Sequence, residues 1–245
     1  MAPKKRQAEH KDSEITSSKY FAKQNKEESS SSIKKLFDPC LRLIGTFYQK
    51  ECVDLSRALL GRYIVRAFDD GSQVCGKIVE TEAYCGIEDA CSHSYNNRRT
   101  ERTEAMFMPP GTLYVYTIYG MYNCMNISSS GDGCAVLIRA LQPISGLEKM
   151  QCLRSKKNPL KPIKEKNLCN GPSKLCQALD VTKETFNKED LITSNRLWLS
   201  SGDTVEDSEI DISKRINITG DEIWVNKPLR FFIKYNPYVS VKNAN

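Results

Sequence analysis

The residues best suited to carry chemistry lie in four short stretches. The first is Val79-Glu80-Thr81-Glu82-Ala83-Tyr84. Positions two apart on a strand share a face, so Glu80 and Glu82 point the same way. Carboxylates that close repel, which raises the proton affinity of one of them. A carboxylate beside an aromatic ring at a strand's end can then serve as a general base for water. The alternative is a solvated strand face with two exposed acids.

The second stretch is Pro110-Gly-Thr-Leu-Tyr-Val-Tyr-Thr-Ile-Tyr-Gly-Met-Tyr122. Tyr114 and Tyr116 share a strand face, and Tyr119 lies at a tip beside Gly120. Aromatics at strand spacing are commonly core. A Tyr-Gly-Met-Tyr turn is different, because its bulky side chains have no core to enter. Such side chains suit insertion between base pairs, and aromatic faces suit a pocket for an extruded base.

The third set is Asn126, Gly131-Asp-Gly133 and Arg139, the last inside Val136-Leu-Ile-Arg-Ala-Leu141. A buried Arg needs a partner, and Glu82 is a natural one. An edge-strand Arg that reaches water is the other reading. The fourth set is basic: Arg98, Arg99 and Arg102 follow His93, and Asn170-Gly-Pro-Ser-Lys174 offers amides and a lysine at a helix start. Phosphates bind readily at such places.

These residues need a frame. Asp54 is placed to cap a short helix through Leu60, closed by Gly61. Strands are expected over 63–68, 74–84, 113–119, 121–128, 134–141 and 229–234, the first pair joined by the turn Asp69-Asp-Gly-Ser72. Ser145 and Glu148 read as a capping box for a helix to about Arg154, and 173–179 as another helix. Strand follows strand through short turns, so the expected fold is α+β. It is a single domain with a mainly antiparallel curved sheet, peripheral helices and a protruding β-hairpin.

With 245 residues, 40% apolar and 27% charged, the chain is ordinary for a soluble globular protein. No apolar run reaches the roughly 20 residues of a membrane span, and no secretory signal is expected. The ten cysteines contain no CxxC pair, so they read as reduced thiols in an intracellular protein. The two histidines, His10 and His93, rule out a His-rich metal centre, and no metal or cofactor is expected. The net charge is +6, of which residues 1–37 carry +4 (nine Lys/Arg against five Asp/Glu). Residues 1–37 are expected to be a disordered basic tail, and 38–245 one folded domain. Lys4-Lys5-Arg6 has the composition of a nuclear import signal. Ile33-Lys-Lys-Leu-Phe37 faintly resembles a sliding-clamp peptide, without its Gln and second aromatic. Six basic residues and one acid between Arg154 and Lys166 form a local basic patch.

Together these stretches resemble the alkyladenine DNA glycosylase family, also called 3-methyladenine or methylpurine DNA glycosylases. The matching motifs are Ile78-Val-Glu-Thr-Glu-Ala-Tyr84, Met106-Phe-Met108, Gly111-Thr-Leu-Tyr-Val-Tyr116, Tyr119-Gly-Met-Tyr122, Met125-Asn-Ile-Ser-Ser129, Gly131-Asp-Gly133, Val136-Leu-Ile-Arg-Ala140 and Asn170-Gly-Pro-Ser-Lys-Leu-Cys-Gln-Ala178. They occur in family order and cover about residues 40–241.

The resemblance implies a monomeric, metal-free, monofunctional glycosylase, with 38–245 as its catalytic domain, that excises alkylated and deaminated purines from duplex DNA. It implies Glu82 as the general base, with Arg139 and the backbone carbonyl of Ile216 helping to hold the attacking water. It implies Tyr84, His93 and Tyr116 around the flipped base, with Asn126 narrowing the pocket against the guanine amino group. Tyr119 is implied as the intercalating wedge with Met121 beside it, and Arg98, Thr100, Arg102, Ser173, Lys174 and Lys183 as phosphate contacts. The chain departs from the family at Glu101, Glu104 and Pro109, which bears on phosphate affinity. Two other classes stay open on the residues alone. One is a non-catalytic nucleic-acid-binding protein. The other is a carbohydrate hydrolase using Glu80 and Glu82, about 7 Å apart by strand rise.

Overall fold

The computed structural model describes residues 41–155 and 162–242. The tail, its basic cluster, the clamp-like peptide, the boundary at 37/38 and the lysines at 156, 157 and 161 lie outside the described residues.

Eight strands build one antiparallel sheet. They are β1 (Tyr63–Ala67), β2 (Gln73–Cys85), β3 (Leu113–Ile118), β4 (Tyr122–Ser128), β5 (Cys134–Ser145), β6 (Leu197–Ser200), β7 (Ile210–Ser213) and β8 (Arg230–Ile233). The main order is β3-β4-β5-β2-β1-β6, with β8 also on β2 and β7 on β8. Among the described residues six short α-helices lie around it: α1 (Gly45–Tyr48), α2 (Cys52–Ala58), α3 (Leu147–Arg154), α4 (Pro172–Ala178), α5 (Lys183–Phe186) and α6 (Glu222–Asn226). The α+β reading holds.

Strand alternation separates the sheet into two faces. Leu113, Val115, Met125, Ile127, Val136, Ile138 and Ala83 face the main hydrophobic core with Leu55 and Leu59. Their neighbours Tyr114, Tyr116, Cys124, Asn126, Leu137, Arg139 and Tyr84 line a cavity on the other face. This is the period of two that a half-buried strand requires.

The long strand β2 does not keep one phase. Ile78 pairs with Leu141, Glu80 with Ala140 and Thr81 with Ile138, so Val79 and Arg139 are each an extra residue at the same level. Before this double irregularity Val74 and Ile78 face the core; after it Ala83 does, and the Thr81 hydroxyl donates to the Ser56 carbonyl of α2 at 2.8 Å. The bulges therefore turn Glu80, Glu82 and Tyr84 toward the cavity face. Bulges bend a strand and re-aim its side chains, and they recur beside active sites.

Local details differ from the sequence reading. Asp54 does not cap α2, which starts at Cys52 behind Glu51 without a side-chain cap. No capping box forms at Ser145, because β5 runs through that residue and α3 starts after Gly146 at φ 76°. Arg139 is not on an edge strand, since β5 lies between β4 and β2. Glu80 and Glu82 are not exposed either; both are fully buried. The strands β6 and β7 were not expected.

The β3–β4 hairpin projects its turn into solvent. Tyr119 and Gly120 both have positive φ, 52° and 67°, as the primed hairpin turns require. The Met121 amide closes the turn onto the Ile118 carbonyl at 3.2 Å.

Candidate active site

One cross-strand row carries much of the site. Tyr114 is opposite Asn126, Asn126 opposite Leu137, Leu137 opposite Glu82, and Glu82 opposite Arg230. Directly opposed residues share a face, so the row leads from the cavity wall to the buried carboxylate. The cavity holds about 420 Å³.

Glu82 lies beneath it, reached through Tyr84, Arg139 and Ile216, which all line the cavity. The Ile216 amide donates to Glu82 Oε1 at 2.7 Å, and Arg139 Nη1 pairs with the same oxygen at 3.1 Å. Oε2 accepts from the Tyr84 hydroxyl at 3.1 Å. Burial raises the Glu82 carboxyl above the usual range; Arg139, the Ile216 amide and the Tyr84 hydroxyl oppose that rise. Burial also holds the Tyr84 phenol protonated, so it donates to the carboxylate. The backbone group that Ile216 offers Glu82 is its N–H.

Glu80 sits two residues away, and its oxygens are fully engaged. It accepts from Arg139 Nε at 3.2 Å, Arg230 Nε at 2.7 Å, and the Ser240 amide and hydroxyl at 2.6 and 2.9 Å. It is not among the cavity residues.

The aromatic walls come from two strands and a loop. His93 Nδ1 and the Tyr114 hydroxyl are 2.9 Å apart. The His93 ring meets Tyr116 edge-on at 4.8 Å, and Tyr116 stacks on Tyr114 at 5.3 Å. These rings form one wall. Tyr84 stands on β2, three strand spacings from β3, roughly 14 Å along the sheet backbone, and forms the opposite side. Desolvation against these rings, then Arg102 and Arg98, pushes His93, whose other side is open to solvent, down to about 4. It is a neutral imidazole at neutral pH. The Asn126 amide donates to the Tyr114 carbonyl at 3.0 Å, which fixes its orientation on the cavity floor.

Tyr119 is 87% exposed and Met121 58%, at the hairpin tip on the cavity rim. The phosphate-contact candidates divide. Arg98, Thr100 and Arg102 lie on an exposed loop next to His93, with Arg102 Nη2 3.4 Å from His93 Nε2. Ser173 lines the cavity. Lys174 is engaged with Asn170 Oδ1 at 2.8 Å. Lys183 is exposed on α5, and its amide donates to Asn123 Oδ1 at 3.2 Å. Glu104, an acid of the loop, is paired with Lys188.

A second buried ion pair went unforeseen. Arg215 donates to both Asp89 oxygens at 2.5 and 2.9 Å and to the Ala83 carbonyl at 3.1 Å. Asp89 also accepts the amides of Cys85 and Cys91, and the Arg215 guanidinium lies 4.5 Å from the Tyr84 ring centre. This clamp fixes the segment that presents Ile216. Its two ends are 126 residues apart, and no local pattern marks either one. Among the described residues no group of three or more His, Cys, Asp or Glu could hold a metal ion.

The chain is of the DNA glycosylase class. The family model for methylpurine-DNA glycosylase matches residues 46–237, and the chain belongs to that family. It is 48% identical over 205 residues to DNA-3-methyladenine glycosylase of Homo sapiens, covering 82% of this chain and 68% of that protein. The match to the Rattus norvegicus protein of the same name covers 64% of its length at 46% identity. A putative 3-methyladenine DNA glycosylase of Alkaliphilus oremlandii is 42% identical and covered along 100% of its length. The chain thus spans about two thirds of the mammalian relatives and all of the bacterial one. Membership makes the chain an enzyme with DNA as its partner.

Proposed function

We propose that the protein flips alkylated or deaminated purines out of duplex DNA and hydrolyses their glycosidic bond, initiating base-excision repair. The observation that carries this reading is Glu82: fully buried, ion-paired, and connected to an aromatic cavity large enough for a base. A water among Tyr84, Arg139 and Ile216 attacks C1′ of the deoxyribose. Its proton passes to Glu82 and the C1′–N9 electron pair leaves with the purine. N3- or N7-methylated purines are cationic, so they stack well between tyrosines and depart neutral without a general acid. His93 walls the cavity as a neutral ring and is not the proton source for uncharged lesions such as hypoxanthine or ethenoadenine.

Among the described residues no lysine lines the cavity, which favours direct hydrolysis over an amine nucleophile. Glu80 is spent on Arg139, Arg230 and Ser240, which removes support for a two-carboxylate sugar hydrolase. A purely binding role leaves a buried, ion-paired Glu82 without a use.

In this reading Asn126 excludes the guanine amino group, Tyr119 with Met121 fills the vacated stack, and Arg98, Thr100, Arg102, Ser173, Lys174 and Lys183 contact phosphates. The enzyme acts as a monomer. Lys4-Lys5-Arg6 serves nuclear import, and Ile33–Phe37 is the weaker candidate for a sliding-clamp contact.

Glu82→Gln tests the reading. It nearly preserves shape and removes the proton acceptor, so single-turnover base release should fall by at least about 10²-fold. Lesion-DNA binding should stay within a few-fold. Retention of more than a few per cent of the rate removes Glu82 as the base.

A further inference from the structure

Four buried charges meet behind the cavity: Glu80, Glu82, Arg139 and Arg230, each 7% exposed or less. Isolated charges do not persist in such surroundings, so their arrangement is constrained. Arg139 is bidentate across two acids, Nε to Glu80 at 3.2 Å and Nη1 to Glu82 at 3.1 Å. Arg230 gives its Nε to Glu80 at 2.7 Å and its Nη1 to Ser213 Oγ at 2.9 Å. Its Nη2 donates to the Val241 carbonyl, and its guanidinium lies 4.3 Å from the Phe232 ring centre. Ser240 adds its amide and hydroxyl to Glu80.

We infer that Glu80 is a positioning carboxylate, held by Arg230 and Ser240, which aims Arg139 at Glu82 and completes a balance of two acids and two bases. The inference rests on the reading of Glu82 as general base. Without Arg230, Arg139 is the remaining counter-charge of Glu80 among the described residues, and it is drawn away from Glu82. Without Glu80, both guanidiniums answer to Glu82 alone. The C-terminal segment therefore reaches the reaction centre through Ser240 and Val241, although neither lines the cavity.

The other groups facing Glu82 include Tyr84 on its own strand, Tyr116 on β3, Cys124 on β4 and the Ile216 amide; Arg215, on the Ala83 carbonyl and beside the Tyr84 ring, is paired with Asp89, so that pair adds no net charge. Burial raises the proton affinity of Tyr84, Tyr116 and Cys124, so all three are neutral and none supplies a compensating charge.

The test is the pH dependence of single-turnover excision of 7-methylguanine, a cationic lesion that needs no general acid, so the acid limb reports the base alone. Removing a nearby charge moves a carboxyl midpoint by about one pH unit. Arg230→Met should move the limb up by about that amount, and Glu80→Gln should move it down. Arg230→Lys keeps the charge and should leave the limb in place. The double variant Glu80→Gln/Arg230→Met restores the balance and should bring the limb back to within about 0.3 unit of wild type. If Arg230→Met alone does not fold, Glu80→Gln against the double variant carries the same comparison. Limbs that do not move, or that move the same way in both single variants, overturn this inference while an inactive Glu82→Gln leaves the base assignment standing. An active Glu82→Gln overturns both.

Discussion

Tyr119→Asn should stabilise the free protein and cripple the flipped complex, two effects of opposite sign from one side chain. Tyr119 is 87% exposed, so its removal leaves no cavity. It sits at φ 52°, a conformation that costs a bulky L-residue about 1 kcal/mol and that Asn adopts more readily. A domain of this size gains roughly 2–4 °C per kcal/mol, so melting should be unchanged or up to a few degrees higher. On DNA the loss is larger. An aromatic stacked on a base contributes about 1–3 kcal/mol, so the stably flipped population should fall by about 5- to 150-fold on a well-paired lesion. The deficit should shrink opposite a poor pairing partner, where less unstacking remains to be offset. Two measurements suffice: thermal unfolding of the free protein, and fluorescence of a flipped ethenoadenine. A melting temperature lower by more than a few degrees, with the flipping signal intact, would return Tyr119 to a structural role.

Other outcomes follow from the same geometry. His93 should titrate near 4 by NMR. Its depressed midpoint means the unfolded chain binds the proton first, so stability should fall as pH drops from about 6.5 toward 4; a midpoint near 6.5 refutes the burial argument. Deleting residues 1–37 should leave folding and saturating single-turnover activity intact and weaken nonspecific DNA binding at low salt, because +4 of charge is lost. A truncated chain that fails to fold contradicts this. EDTA should not slow excision, since Glu82 activates the water; stoichiometric zinc in the purified protein with chelator-sensitive turnover refutes it.

Much of the site was legible because strand period and charge pairing are local or near-universal rules. Tyr114 and Tyr116 share a face and stack as their spacing dictates. A buried Arg139 demanded a carboxylate, and Glu82 is there. The double bulge was not legible, since Val79-Glu-Thr-Glu-Ala-Tyr84 alternates regularly on both sides of the phase change. Only the pairing against β5 reveals it. The Asp89–Arg215 clamp and the Glu104–Lys188 pair join distant parts of the chain, so spacing gives no cue. Leu197–Ser200 is buried at every position and shows no alternation to mark a strand. The Ser145–Glu148 pattern matched a capping box, but the sheet kept Ser145 and the left-handed Gly146 starts the helix instead.

The phase change in β2 also decides where this enzyme can be redesigned. Past Val79 neither side of the strand is idle: one packs on α2, the other holds the reaction centre. Any library over 80–84 therefore spends folding and chemistry together. The segments that line the cavity without belonging to the sheet, Cys91–His93 and Ile216–Thr219, carry no such double duty at most positions. A broadened or narrowed range of excised bases is best sought there, where variation reshapes the opening and leaves the scaffold's register untouched.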